Sequence, residues 1–96
     1  MIKHIVAWKL KEENKKENAL KIKVALEDLK DFIPEIKHIE VGINLNNTSA
    51  AMDVVLYSEF DNMNDLNSYQ VNPHHVKTSN FVKSVVTERK VVDYEV

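Results

Sequence analysis

The chain has 96 residues, 44% hydrophobic and 29% charged, which is the length and composition of one globular domain spanning residues 1–96. A net charge of −2, with lysine and glutamate mixed along the chain, offers no basic field for nucleic acid, and no apolar run approaches a membrane span. Without cysteine there are no disulfides, thiolate metal sites or cysteine nucleophiles, and with no signal-like N-terminus the expected compartment is the cytoplasm.

The first segment, Met1 to Lys11, alternates: Ile2, His4, Val6, Trp8 and Leu10 share one face, with Ile5 and Ala7 among lysines on the other. A helical stripe follows at Ala19, Ile22, Leu26, Leu29 and Ile33, flanked by Ala25 and Phe32. Pro34 ends it, because the proline ring pushes Ile33 out of the α region. From Lys37 to Leu45 the alternation is strict, with Ile39, Val41, Ile43 and Leu45 on a dry face. Gly42, the only glycine, lies inside that strand and suggests a bulge or a close backbone approach. After a turn at Asn46 to Ser49, Asp53 to Phe60 reads as a central strand, apolar on both faces.

Asp61 is placed to cap a short helix carrying Met63 and Leu66 up to Tyr69. Asn72-Pro73 starts a second helical piece, with Asn as N-cap and Pro at the first helical position, carrying Val76, Phe81, Val82 and Val85. The last strand, Thr87 to Val96, has Val91 on one face and Val92, Tyr94 and Val96 on the other. The order β-α-β-β-α-β predicts an α+β, ferredoxin-like fold: a four-stranded antiparallel sheet with both helices on one face. The opposite face keeps Ile5, Ala7 and apolar residues of the third and fourth strands uncovered. A second copy of the same sheet is the simplest cover, so a homodimer through the sheet faces is expected.

Several short blocks carry a more specific likeness: Ile2-Lys3-His4-Ile5-Val6, Ile33-Pro34-Glu35-Ile36, Glu40-Val41-Gly42, Ser58-Glu59-Phe60-Asp61, Asp65-Leu66-Asn67-Ser68-Tyr69-Gln70, Asn72-Pro73-His74-His75-Val76 and Val91-Val92-Asp93-Tyr94. In this order and spacing the whole chain resembles the stress-responsive dimeric A/B barrel (Dabb) family. The resemblance implies a ferredoxin-like fold and two-fold dimers whose sheets meet as a barrel. Most members have no established reaction, and some plant members are associated with stress. One plant branch is a polyketide cyclase that closes a ring by intramolecular aldol condensation. Its working groups are a first-strand histidine, a tyrosine before the Pro turn and a histidine just after it, which match His4, Tyr69 and His75 here. This chain departs from that branch at Thr78, Ser79 and Arg89, where the cyclase is bulkier or more apolar.

Each of these residues also has a plainer reading. His4, in an apolar row, is either a carbonyl polariser or a core histidine satisfied by a neighbour such as Tyr69 or His75. Tyr69 either positions a carbonyl or packs with its hydroxyl wet. His74 lies over Thr78 and Phe81 on an ideal helix, and His75 over Ser79 and Val82, so periodicity leaves the choice open and the resemblance favours His75. Trp8 and Phe81 occupy core-periodic positions, where large aromatics are more often core than stacking platforms. With Leu56 and Arg89 they are the expected substrate-binding residues around the site. No metal is expected: His74 and His75 project about 100° apart, and no chelating spacing occurs. No cofactor is expected either, since one glycine can hardly build a phosphate-cradling loop.

Two functions follow. The first is a homodimer of uncharacterised role that binds a small, mostly apolar molecule between sheet and helices. The second is a cofactor-independent lyase or cyclase, with His75 as base, Tyr69 as positioner and His4 as carbonyl polariser.

Overall fold

A computed structural model describes all residues, Met1–Val96. Strand β1 (Ile2–Leu10) turns Ile2, His4, Val6, Trp8 and Leu10 inward, as its alternation demands. Helix α1 (Lys15–Glu27) buries Ala19, Ile22 and Leu26. The helical stripe does not run on as α-helix to Ile33. The chain tightens into a 3₁₀ turn at Asp28–Asp31 that buries Leu29, and Phe32 and Ile33 both donate to the Leu29 carbonyl. Pro34 disfavours the α conformation at the preceding residue, and a tighter last turn still delivers Ile33 to the core. Phe32 is left 56% exposed.

Strand β2 (His38–Ile43) is shorter than the alternation suggests, and Leu45 stands fully exposed rather than on the dry face. Pairing with strand β3 (Val54–Phe60) ends at Ile43 opposite Val54. Beyond it, the side chains of Asn44 and Asn46 accept from the backbone two residues on, a local turn chemistry that competes with the ladder. Gly42 is the close approach its place in the strand suggests: a Cβ there would meet Val55 Cγ1 at 3.2 Å. Helix α2 (Met63–Val71) is capped by Asn62, whose side chain accepts from Asp65 N at 2.9 Å. Asp61 is not the cap; its carboxylate pairs with Lys37 at 3.4 Å. Helix α3 (Pro73–Val85) begins as its sequence requires, with Asn72 accepting from His74 N at 2.9 Å and Pro73 in the first turn. Strand β4 (Val86–Glu95) follows without a loop and pairs with β1 along its length.

The sheet is antiparallel, in the order β2-β3-β1-β4, the split βαβ arrangement. One core joins its inner face to all the helices, from Phe60, Leu56 and Val6 to Ile22, Leu66 and Val82. At the β2 edge, a Lys23–Glu27 ion pair of 2.7 Å also grips the strand: Lys23 Nζ donates to the Val41 carbonyl and Val41 N donates to Glu27 Oε2. Those bonds hold the Glu27 carboxyl below its ordinary pKa, chiefly through Lys23.

The outer face carries Ile5 opposite both Tyr57 and Val92, and Ala7 opposite Val55. Strand β3 is central in the sheet, as its pattern suggests, and in the single chain the outer face is open, with Val55 39% and Val92 58% exposed. A polar cluster sits at one end, where Lys3 and the Tyr57 hydroxyl both reach Glu59 Oε2 at 2.5 Å. No helix is long and apolar enough to cross a membrane.

Candidate functional site

Where α3 passes over β1 and β4, the layers leave a cleft. Its inner part is a cavity of about 240 Å³ with an apolar floor of Val6, Trp8, Leu56, Val82 and Val86. A wider mouth of about 520 Å³ adds Gln70, Asn80 and Asp93. His4, His75, Ser79, Lys83 and Arg89 line both. The α3 residues among them, His75, Ser79 and Lys83, are four apart and fall on one helix face. On the sheet side, β1–β4 register places Asp93 opposite His4 and Arg89 opposite Trp8.

His4 is buried on the sheet, and its Nδ1 makes a short contact with Asp93 Oδ1. A carboxylate only accepts, so Nδ1 carries the shared proton and Nε2 is the nitrogen left for other partners. Ser58, also buried, donates from Oγ to the His4 carbonyl at 3.0 Å and so fixes the strand beneath the ring. His75 donates from Nδ1 to the Gln70 carbonyl at 3.0 Å, which leaves its Nε2 free. Burial holds His75 below its usual pKa, and the charges of His4, Arg89 and Lys83 push the same way against the Gln70 bond. It is therefore a neutral imidazole at pH 7 with a basic nitrogen to offer.

Tyr69 stands behind both imidazoles. Its ring centroid is 4.4 Å from that of His75, 6.2 Å from that of His4 and 4.9 Å from that of Phe60. The side chain is fully buried, its hydroxyl has no protein partner, and it lines neither part of the cleft. Burial pushes the phenol pKa up, so it stays protonated.

Trp8, Leu56 and Arg89 lie at the cleft, but Phe81 does not. Phe81 shares a separate groove with His74, Thr78 and Phe32, on the α3 flank that meets α1. His74 stacks on Phe32 there at 4.5 Å, so of the adjacent histidines only His75 reaches the cleft. The α3 periodicity defines the two stripes, and helix packing against α1 decides which one faces the sheet. Asp93, which the sequence shows only as part of the Val91-Val92-Asp93-Tyr94 block, and Lys83 join the site without having been expected there. The available signal was an acid at the inward position of the last strand and a lysine two turns after His75. No group of three or more His, Asp or Glu side chains is placed to hold a metal ion.

A split-βαβ domain with paired imidazoles in a cleft under its last helix is thus the class that fold and site define. The chain belongs to the stress responsive A/B barrel domain (Dabb) family, whose model matches residues 2–96. Among solved structures it is similar to a dimeric protein of unknown function with a ferredoxin-like fold from Bacteroides fragilis NCTC 9343. Identity is 37%, the TM-score is 0.89, and 99% of this chain and 95% of that one are covered. A Dabb family protein from Mesorhizobium loti matches at 19% identity and TM-score 0.82, covering 99% and 95% of the two chains. A hydroxynitrile lyase from Passiflora edulis matches at 18% identity and TM-score 0.86, covering 97% and 90%. At such identities the last two speak for the fold alone. No curated protein matches the chain.

Proposed function

We propose that this protein is a cytoplasmic homodimer that binds a small, mostly apolar molecule in the cleft between sheet and helices, in a stress-related or accessory role. The observation that carries the reading is the 240 Å³ cavity, with its apolar floor and a few convergent polar groups at the rim. That is the usual anatomy of a ligand site, at a size just under the roughly 300 Å³ where drug-sized pockets begin. Self-association is supported by the open outer sheet face and by the dimeric state of the 37% identical relative. Mass spectrometry of protein purified gently from its own cells tests the ligand. A co-purifying small molecule that raises the melting temperature on re-addition is expected. An empty protein whose melting temperature ignores a broad metabolite panel refutes the reading.

A second reading, acid/base catalysis on a β-dicarbonyl or β-polyketo substrate, is favoured by one observation: His4 and His75 converge on the same open cavity rather than packing closed against each other. In it, His75 Nε2 removes an activated α-proton. His4, with Asp93 accepting at Nδ1, takes a proton from solvent on Nε2 and donates it to the developing enolate oxygen, and His75 releases the abstracted proton to solvent. Tyr69 then acts through His75, holding the ring by contact. If His75→Ala and His4→Ala turn over candidate β-dicarbonyls as the wild type does, this mechanism is excluded.

A further inference from the structure

The ion pairs of the chain are unevenly distributed. Lys3, Lys15, Lys21, Lys23, Lys37 and Lys90 each lie within reach of a carboxylate. Seven cations have no carboxylate partner, and of these only Lys83 and Arg89 line the cleft, both of them in both its parts. Two acids border that space: Asp93 is bound to His4, while Glu88 lies in the cavity lining with Lys90 at 3.9 Å on its solvent side. A protein of net charge −2 therefore places two cations that no carboxylate pairs beside the apolar floor of the cleft lined by His4 and His75. The same charges contribute to the depressed pKa of His75.

We propose that the cleft selects an amphipathic anion: a short apolar body with one anionic head, a carboxylate or phosphate, held between Lys83 and Arg89. This rests on the cleft being a ligand site, as proposed above, and adds the class of ligand. The body lies on Trp8, Leu56 and Val82 while the head meets the cations near the α3–β4 junction. Arg89 presents a planar fork that matches a carboxylate or phosphate bidentately, and Lys83 adds a point charge. A volume of about 240 Å³ equals the bulk volume of roughly eight waters, so the ligand is about as large as a six-carbon acid. His75 precedes Lys83 by two helical turns, about 12 Å along the axis, so the far end of such a ligand points toward the imidazoles.

Trp8 is the only tryptophan and lines the cavity, which makes its fluorescence a reporter of occupancy. The probes are hexanoate, hexyl phosphate and the uncharged hexanamide, titrated into the full-length protein with melting temperature as a second readout. At least one anion is expected to bind tenfold or more tighter than the amide, about 1.4 kcal/mol. The more tightly bound anion identifies the head group as carboxylate or phosphate. The preference should shrink at about 1 M salt, where the screening length falls to roughly 3 Å. It should vanish in the Arg89→Gln, Lys83→Gln double variant and persist in Arg89→Lys. The Lys16→Gln, Lys30→Gln double variant, which removes an equal charge at exposed positions outside the cleft, should retain it. Both cleft cations are surface-exposed, so an unchanged circular dichroism spectrum is expected of the variants. Equal affinity for hexanoate, hexyl phosphate and hexanamide overturns the anion inference and leaves the cleft reading standing. A preference that survives the double variant also overturns it. Silence from all three probes in both readouts counts against the cleft itself, and the inference falls with it.

Discussion

Replacing Tyr69 with phenylalanine should make this protein more stable. The side chain is fully buried and its hydroxyl has no protein partner, while the ring fills space among Phe60, His4 and His75. A buried hydroxyl left unpaired costs about 1–3 kcal/mol. Removing the oxygen leaves a void of roughly 12 Å³, which at about 24 cal/mol per Å³ costs about 0.3 kcal/mol. The balance is a gain of about 0.7–2.7 kcal/mol, or a melting temperature higher by roughly 3–22 °C for a domain of this size. Alkaline pH gives an independent handle. Burial raises the folded-state pKa of the phenol above the unfolded value of 10.0, so the folded protein holds that proton more tightly. Its contribution is complete below pH 10 and is lost as pH rises through the folded pKa. Tyr69→Phe should abolish that decline. Urea and thermal unfolding at fixed protein concentration, at neutral pH and near pH 11, measure both effects. A loss of more than about 0.5 kcal/mol at neutral pH refutes the argument, because it means the hydroxyl makes a favourable bond in solution.

Acid should weaken the fold through His75. Its folded pKa lies below 6.5, so the unfolded chain binds more protons in between; stability is fully present above about pH 6.5 and is lost as pH falls toward the folded value. Denaturant midpoints from pH 8 to 5 should show a slope of at most about 1.4 kcal/mol per pH unit that His75→Gln flattens. Asn72→Ala, which removes the α3 cap, should cost about 1 kcal/mol in thermal unfolding, with Asn72→Asp close to wild type. Val92→Asp places a charge on the outer sheet face opposite Ile5 and should shift the sedimentation mass from dimer to monomer, with little change in circular dichroism.

Local rules made much of this architecture legible. The alternation of β1 separates inner from outer face correctly at every residue, and Asn72-Pro73 announces α3 to the residue. The misreadings come where local chemistry was outweighed. Leu45 continues an alternating pattern, but Asn44 and Asn46 turn the chain away first. Asp61 and Asn62 are both good caps, and the Lys37 partner of Asp61 is visible only once β2 is in place. The site was harder for a different reason. His4 and Asp93 meet across 89 residues of chain, so their pairing depends on the β1–β4 register. Phe81 and Val82 are both apolar and adjacent, yet Phe81 faces α1 while Val82 floors the cleft, a choice set by how three helices share one sheet.

The grip of Lys23 and Glu27 on Val41 bears on how copies of this chain can meet. An exposed strand is adhesive because its outward backbone groups seek partners, and runaway stacking needs two such strands per molecule. Here the middle rung of β2 is already occupied from within, by a helix of the same chain. A visiting strand would have to evict both side chains before it could bond there. That leaves β4 as the adhesive side, and a unit with a single sticky edge terminates after one partner. The small pair on α1 thus favours closed assemblies over fibres, whichever surface the subunits use to recognise each other.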